Sequence, residues 1–178
     1  MKIAILGWGS LIWQPKDLAF NKNCSWKPFG PVLPIEFARI SNDGRLTLVI
    51  TEKGTEVTTL YTLSNFHDID EAVLNLSVRE GSGRKSIGYY DKSKDVFYPA
   101  IFGFKTNISE WINLTDFDAV IWTNLPEKLE SNDPLEYLKS LTGNKSALAE
   151  EYIRRTPTQI KTALRTIIEE ELNWKPIE

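Results

Sequence analysis

Apolar and polar positions change period several times along the chain, and each change marks an element. Ile3-Ala4-Ile5-Leu6 is an unbroken apolar run that stops at Gly7, the pattern of a short buried strand entering a turn. Val32 to Ser41 and Arg45 to Thr51 are extended runs joined by Asn42-Asp43-Gly44, residues that tolerate hairpin-turn dihedrals. In the first arm Ile35 and Phe37 share a face opposite Glu36 and Ala38, so alternation puts Arg39 on the apolar face. There it needs an anionic partner, either an internal carboxylate or that of a substrate. After a turn at Gly54, Glu56 to Thr62 has the Val, Thr and Tyr content of a third strand in the same sheet.

From Asp68 the period becomes helical. Asp68 is placed as an N-cap with Glu71 three residues on, the form of a capping box, and Ser64 is the competing cap. Ile69, Val73 and Leu76 recur at steps of four and three, and the next step of four reaches Glu80, immediately before Gly81 ends the helix. A carboxylate at the last core-facing position is out of pattern, because burying an unpaired charge is costly. Arg79 sits about 100° round the helix and is not an obvious partner. That leaves a solvated helix end, an ion pair with Arg39, or a functional carboxylate.

Three further strands are predicted at Lys85 to Asp91, Phe97 to Lys105 and Asp118 to Thr123, with a helical turn at Ser109 to Ile112 and an edge or bulge at Pro99. The last third turns to helices. One starts at Asp133-Pro134-Leu135-Glu136 and is stopped by Gly143; a second spans Ser146 to Arg154; a third, capped by Thr156-Pro157, carries Ile160, Ala163, Leu164, Ile167, Ile168 and Leu172 on one face. Its Glu169-Glu170-Glu171 run reads as a solvated face. Leu11 to Phe29 has no period and reads as a long loop packed down by Trp13, Trp26 and Phe29.

Composition narrows the function classes. A chain of 178 residues, 42% hydrophobic and 25% charged, is expected to form one soluble globular domain. A net charge of -3 with mixed signs lacks the clustered Lys and Arg of a nucleic-acid surface. The lone Cys24 excludes an internal disulfide, and the short N-terminal apolar run fits neither a signal peptide nor a membrane span, so the expected setting is cytoplasmic. Gly7-x-Gly9 starts like a dinucleotide fingerprint, but Ile12 stands where the third glycine belongs. No phosphate loop is present, and His67 alone supports neither a multi-histidine metal site nor a Ser-His-Asp triad around a nucleophile elbow.

Two features then stand out: a glycine turn after the first strand, suited to presenting backbone N–H groups to an anion, and a core-facing carboxylate ending the middle helix. Together they suit proton transfer beside a held oxyanion. Gly7-Trp8-Gly9-Ser10-Leu11 after an N-terminal strand, the Phe37 to Ile50 hairpin, and Leu76-Ser77-Val78-Arg79-Glu80-Gly81 resemble the gamma-glutamylcyclotransferase-like family.

The resemblance implies an α+β fold, a mixed β-barrel of about six to seven strands flanked by helices. It also implies a cofactor-free reaction in which the α-amine of a γ-glutamyl group attacks its own γ-carbonyl, giving 5-oxoproline and releasing an amino acid or amine. Glu80 would be the general acid/base, and Gly7, Trp8, Gly9, Ser10 and Leu11 would hold the glutamyl end, with Arg39 a further substrate-binding candidate. Two departures are visible: Trp8 replaces the family's usual tyrosine, and Ser82-Gly83-Arg84 stands where another tyrosine often follows the glutamate, with Tyr89 or Tyr90 as partial substitutes. The alternative is a non-catalytic small-ligand-binding domain with the same pocket. A third reading, a protein-interaction domain, rests on the tryptophans of the long loop. The implied partner is a small γ-glutamyl-type substrate; no metal, nucleic acid or membrane is expected, and the pattern gives no oligomeric state.

Overall fold

A computed structural model of the chain describes residues 1–129 and 133–177. The fold is mixed α+β, with strands β1 (Ile3–Gly7), β2 (Val32–Ile40), β3 (Leu46–Ile50), β4 (Thr55–Thr58) and β5 (Leu60–Leu63), then helix α1 (Ile69–Glu80). There follow β6 (Ile87–Asp91), β7 (Val96–Tyr98), α2 (Lys105–Asn113), β8 (Ala119–Thr123), α3 (Pro134–Ser140), α4 (Gly143–Arg155) and α5 (Ala163–Glu171). The described chain divides into two compact units, each made from three stretches. The first comprises Met1–Gly7, Gln14–Leu33 and Thr58–Leu125; the second comprises Trp8–Trp13, Pro34–Val57 and Pro126–Glu178. Among the described residues no helix is long and apolar enough to cross a membrane.

The first unit is built on a five-stranded sheet in the order β5-β1-β8-β6-β7. β1 runs parallel to β8, with Ile3 opposite Ala119, and antiparallel to β5, with Ala4 opposite Leu63. Every residue of β1 is buried, as its unbroken apolar run requires of a strand flanked on both sides. α1 packs on β6 and β8 through Ala72, Val73 and Leu76. Its start is fixed by Asp68, whose carboxylate accepts from the amides of Asp70 at 2.9 Å and Glu71 at 3.1 Å. Its end is fixed by Gly81 at φ 62°, a left-handed position, with the Ser82 amide returning to the Ser77 carbonyl at 3.0 Å.

The second unit holds a three-stranded sheet, order β3-β2-β4, and the helices α3, α4 and α5. The Asn42-Asp43-Gly44 turn closes the β2–β3 hairpin, with Gly44 at φ 86°. α4 lies on β3, and α3 meets α5. Neither sheet closes on itself among the described residues; no barrel is found.

Several expectations are corrected. The single strand predicted over Glu56 to Thr62 is two, β4 and β5, in different sheets. The break is at Thr59, whose amide and hydroxyl both donate to the Pro31 carbonyl, at 3.1 and 2.8 Å. The strand predicted to reach Lys105 stops at Tyr98, because Pro99 has no amide to continue a ladder, and the predicted turn at Ser109 belongs to the longer α2. Gly143 opens α4 as well as following α3, and the last helix is capped by Thr162, not by Thr156-Pro157. Glu169 is not part of a purely solvated run: it lies 2.9 Å from the buried Arg165. The stretch from Leu11 to Phe29 is less loop-like than its composition suggests. Asn21 and Lys27 donate backbone bonds to Leu63 and Tyr61, covering the outer edge of β5, while Phe29 is exposed.

Candidate functional site

Glu80 occupies the final turn of α1, where the helix periodicity directed it, and its side chain is 14% exposed. The partner that periodicity argued against is the one it has. The Arg79 guanidinium, itself 6% exposed, donates from Nη1 to Glu80 Oε1 at 2.7 Å. A regular helix separates neighbours by about 100°, but the long arginine side chain reaches across that angle at the helix end, where no further turn stands in the way. Nη2 of Arg79 donates to the Gln14 carbonyl at 2.8 Å, so the same guanidinium ties the end of α1 to the chain three residues beyond Leu11. Among the described residues Oε2 of Glu80 takes no hydrogen bond.

The glycine turn belongs to the second unit from Trp8 onward, with Gly7 ending β1 in the first. Trp8, Gly9 and Leu11 are buried and Ser10 is half-buried, with the Ile12 amide bonded to the Gly9 carbonyl at 3.0 Å. Neither Gly7 nor Gly9 has a positive φ, so left-handed backbone is not what glycine provides here. At Gly9 it provides room: a Cβ would overlap the hydroxyl of Tyr152, on α4. That hydroxyl accepts from the Leu48 amide at 3.4 Å, and the Trp8 indole N–H donates to the Leu48 carbonyl at 3.4 Å. Tyr152 is set by edge contacts with Trp13, 5.4 Å between centroids, and Phe37, and by the Arg45 guanidinium 5.6 Å from its ring. The close approach reserved by glycine is thus made by a side chain of the protein itself.

Arg39 is not on the apolar face. A register shift between Phe37 and Arg39 is a β-bulge that inverts the alternation, leaving Ala38 and Ile40 buried and Arg39 half-buried opposite Thr47. Its Nη1 donates to the Pro126 carbonyl at 2.8 Å, so the expected internal carboxylate is replaced by a backbone oxygen. Tyr90 does not stand in for a tyrosine after Glu80: its hydroxyl donates to Asp95 at 3.0 Å within the β6–β7 hairpin, where burial and then the Asp95 carboxylate push its pKa up. Tyr89 stacks on Tyr98. His67 lies in the turn before α1 and meets the Met1 backbone.

Sequence reasoning missed Tyr152 and the Arg79–Gln14 link. The helical spacing of Ala149, Tyr152, Ile153 and Thr156 marks a buried face, but nothing in that spacing names what the face covers. No group of three or more His, Cys, Asp and Glu side chains among the described residues is placed to hold a metal ion. No family model, curated protein or solved structure matches the chain.

Proposed function

We propose that the chain is a gamma-glutamylcyclotransferase-like enzyme that closes a γ-glutamyl group to 5-oxoproline and releases an amino acid or amine, with Glu80 as general acid/base. What carries this reading is the Glu80 carboxylate: largely buried, positioned by Arg79 through one oxygen, with the other taking no hydrogen bond among the described residues. In the reaction the α-nitrogen forms a bond to the γ-carbonyl carbon, and the bond from that carbon to the leaving nitrogen breaks. Glu80 takes the proton released by the attacking amine and returns one to the leaving nitrogen. Ring closure is intramolecular, so a pocket that selects the reactive rotamer supplies much of the acceleration, several kcal/mol in favourable cases. A positioned proton carrier adds about 10²- to 10⁴-fold. Gly7, Trp8, Gly9, Ser10, Leu11 and Arg39 form the substrate-binding set of this proposal, and the family's barrel is part of the proposal too.

The test is incubation with γ-glutamyl dipeptides and γ-glutamylamines, following 5-oxoproline. Wild type is expected to form product and Glu80→Gln to fall by about 10²-fold or more. Absence of product from wild type, or equal turnover by Glu80→Gln, overturns the proposal.

A second reading, a non-catalytic domain that binds a small carboxylate, is favoured by Tyr152, whose hydroxyl already occupies the space beside Gly9. It predicts saturable binding of γ-glutamyl compounds without turnover.

A further inference from the structure

The first unit carries a cavity of about 440 Å³, in the size range of small-molecule sites, that none of Glu80, Arg39 or the glycine turn lines. Phe117 and Tyr61 form one wall, their rings edge to face at 5.5 Å. Trp111 braces both from behind at 5.9 and 5.4 Å, and its indole N–H is fixed to the Phe29 carbonyl at 2.7 Å. Leu63 lines the same space, and so does Leu114, which is 89% exposed.

The charges around this apolar surface do not cancel. Lys2 forms an ion pair with Asp116 and lies 5.1 Å from the Phe117 ring centre, so its charge is already met twice. Asp116 is the only carboxylate in the lining. Lys27 has no ion pair among the described residues, leaving the site one positive charge in excess. Its backbone is tied to Tyr61 by hydrogen bonds in both directions, at 2.8 and 3.0 Å, which fixes where the side chain starts. The Tyr61 hydroxyl and the Cys24 thiol, also in the lining, make no hydrogen bond among the described residues. An uncompensated ammonium, unengaged donors and a braced aromatic wall are what a small amphiphilic anion needs.

We propose that this cavity binds a monoanionic organic acid, its carboxylate toward Lys27 and its apolar body against Phe117 and Leu114. Cys24, the only cysteine, is a built-in reporter for it.

The full-length protein is titrated with phenylacetate, with acetate as the anion lacking the apolar body and phenylethanol as the neutral relative, by calorimetry and by the rate at which a thiol reagent labels Cys24. Phenylacetate is expected to saturate and slow labelling, and both comparison compounds to bind at least about tenfold more weakly. Lys27→Glu, at an exposed position and with its fold checked by circular dichroism, is expected to weaken phenylacetate about tenfold, with Lys27→Met between Lys27→Glu and wild type. No saturation, equal binding of phenylethanol or acetate, or unchanged binding by Lys27→Glu each overturns the proposal. Turnover of γ-glutamyl compounds is a separate measurement, so either reading can fail without the other.

Discussion

Arg79 divides its guanidinium between Glu80 Oε1, 2.7 Å away, and the Gln14 carbonyl, 2.8 Å away. Only a planar fork reaches both at once; the single ammonium of lysine cannot. Arg79→Lys is therefore expected to destabilise the protein by about 1.5–3 kcal/mol, the range for losing a hydrogen bond to a charged group, read from denaturant unfolding. An unchanged midpoint would show that the guanidinium fork is dispensable. Gly9 makes a second residue-scale test. Gly9→Ala drives a methyl group into the Tyr152 hydroxyl and is expected to cost about 1–3 kcal/mol. Tyr152→Phe removes that hydroxyl, so the Gly9→Ala cost should shrink in its background, and a double-mutant cycle measures the coupling. Additive effects would mean that the two residues do not meet. These contacts also show the limit of reading single residues: the sequence placed Glu80 on the buried side of α1 from spacing alone, but neither Gln14 nor Tyr152 stands at a distance along the chain that any period could have flagged.

Elements whose signals are local were legible and those that depend on remote partners were not. The α1 caps at Asp68 and Gly81, and the α3 cap at Asp133, follow from residue types within one turn. The β2 bulge, the jump between sheets at Thr59 and the start of α5 at Thr162 depend on what lies alongside. At the last, the Ala163 amide donates to the Thr55 hydroxyl at 2.8 Å and the Leu164 amide to Glu36 at 3.3 Å, partners more than a hundred residues away. Arg165 follows in the same turn. It is 1% exposed, and burial holds its pKa down despite the neighbouring Glu169. Its guanidinium accounts for the carbonyls of Thr156, Pro157 and Ile160, at 2.8, 2.7 and 3.0 Å, in the connection between α4 and α5. Arg165→Ala leaves those oxygens and Glu169 unanswered, and a loss of about 3–5 kcal/mol is expected in thermal or denaturant unfolding. The hairpin turn carries a pH-dependent term. Partial burial raises the pKa of Asp43, but hydrogen bonds from Arg45 and Ser41 outweigh it and bring the value from 3.8 down to about 2. A carboxyl depressed in the folded state adds stability above its unfolded value, lost as pH falls from about 4 toward 2. Because the side chain is 44% exposed, the effect is expected below about 1 kcal/mol. Asp43→Asn should flatten the acid limb of the stability curve by that amount, and an identical limb would remove Asp43 from the account.

At the scale of the whole molecule the chain passes from one unit to the other at Gly7/Trp8, Trp13/Gln14, Leu33/Pro34, Val57/Thr58 and Leu125/Pro126. All five strands of the larger sheet lie between Ile3 and Thr123. The smaller sheet draws its strands from 32–58, while the helices of its unit come after Leu125. Ending the chain at Leu125 therefore removes different things from the two. The larger sheet keeps every strand and α1, whereas β3 loses α4, and Gly9, Trp13 and Phe37 lose Tyr152. The expected behaviour of a 1–125 fragment is partial order: slow amide exchange along β1 and β8, fast exchange through 34–57, and binding of a hydrophobic dye by the uncovered Phe37 and Leu48 region. Uniformly fast exchange would show that the larger sheet does not hold without the C-terminal helices. Uniformly slow exchange would show that α4 and Tyr152 are not what keeps the hairpin and the glycine turn in place.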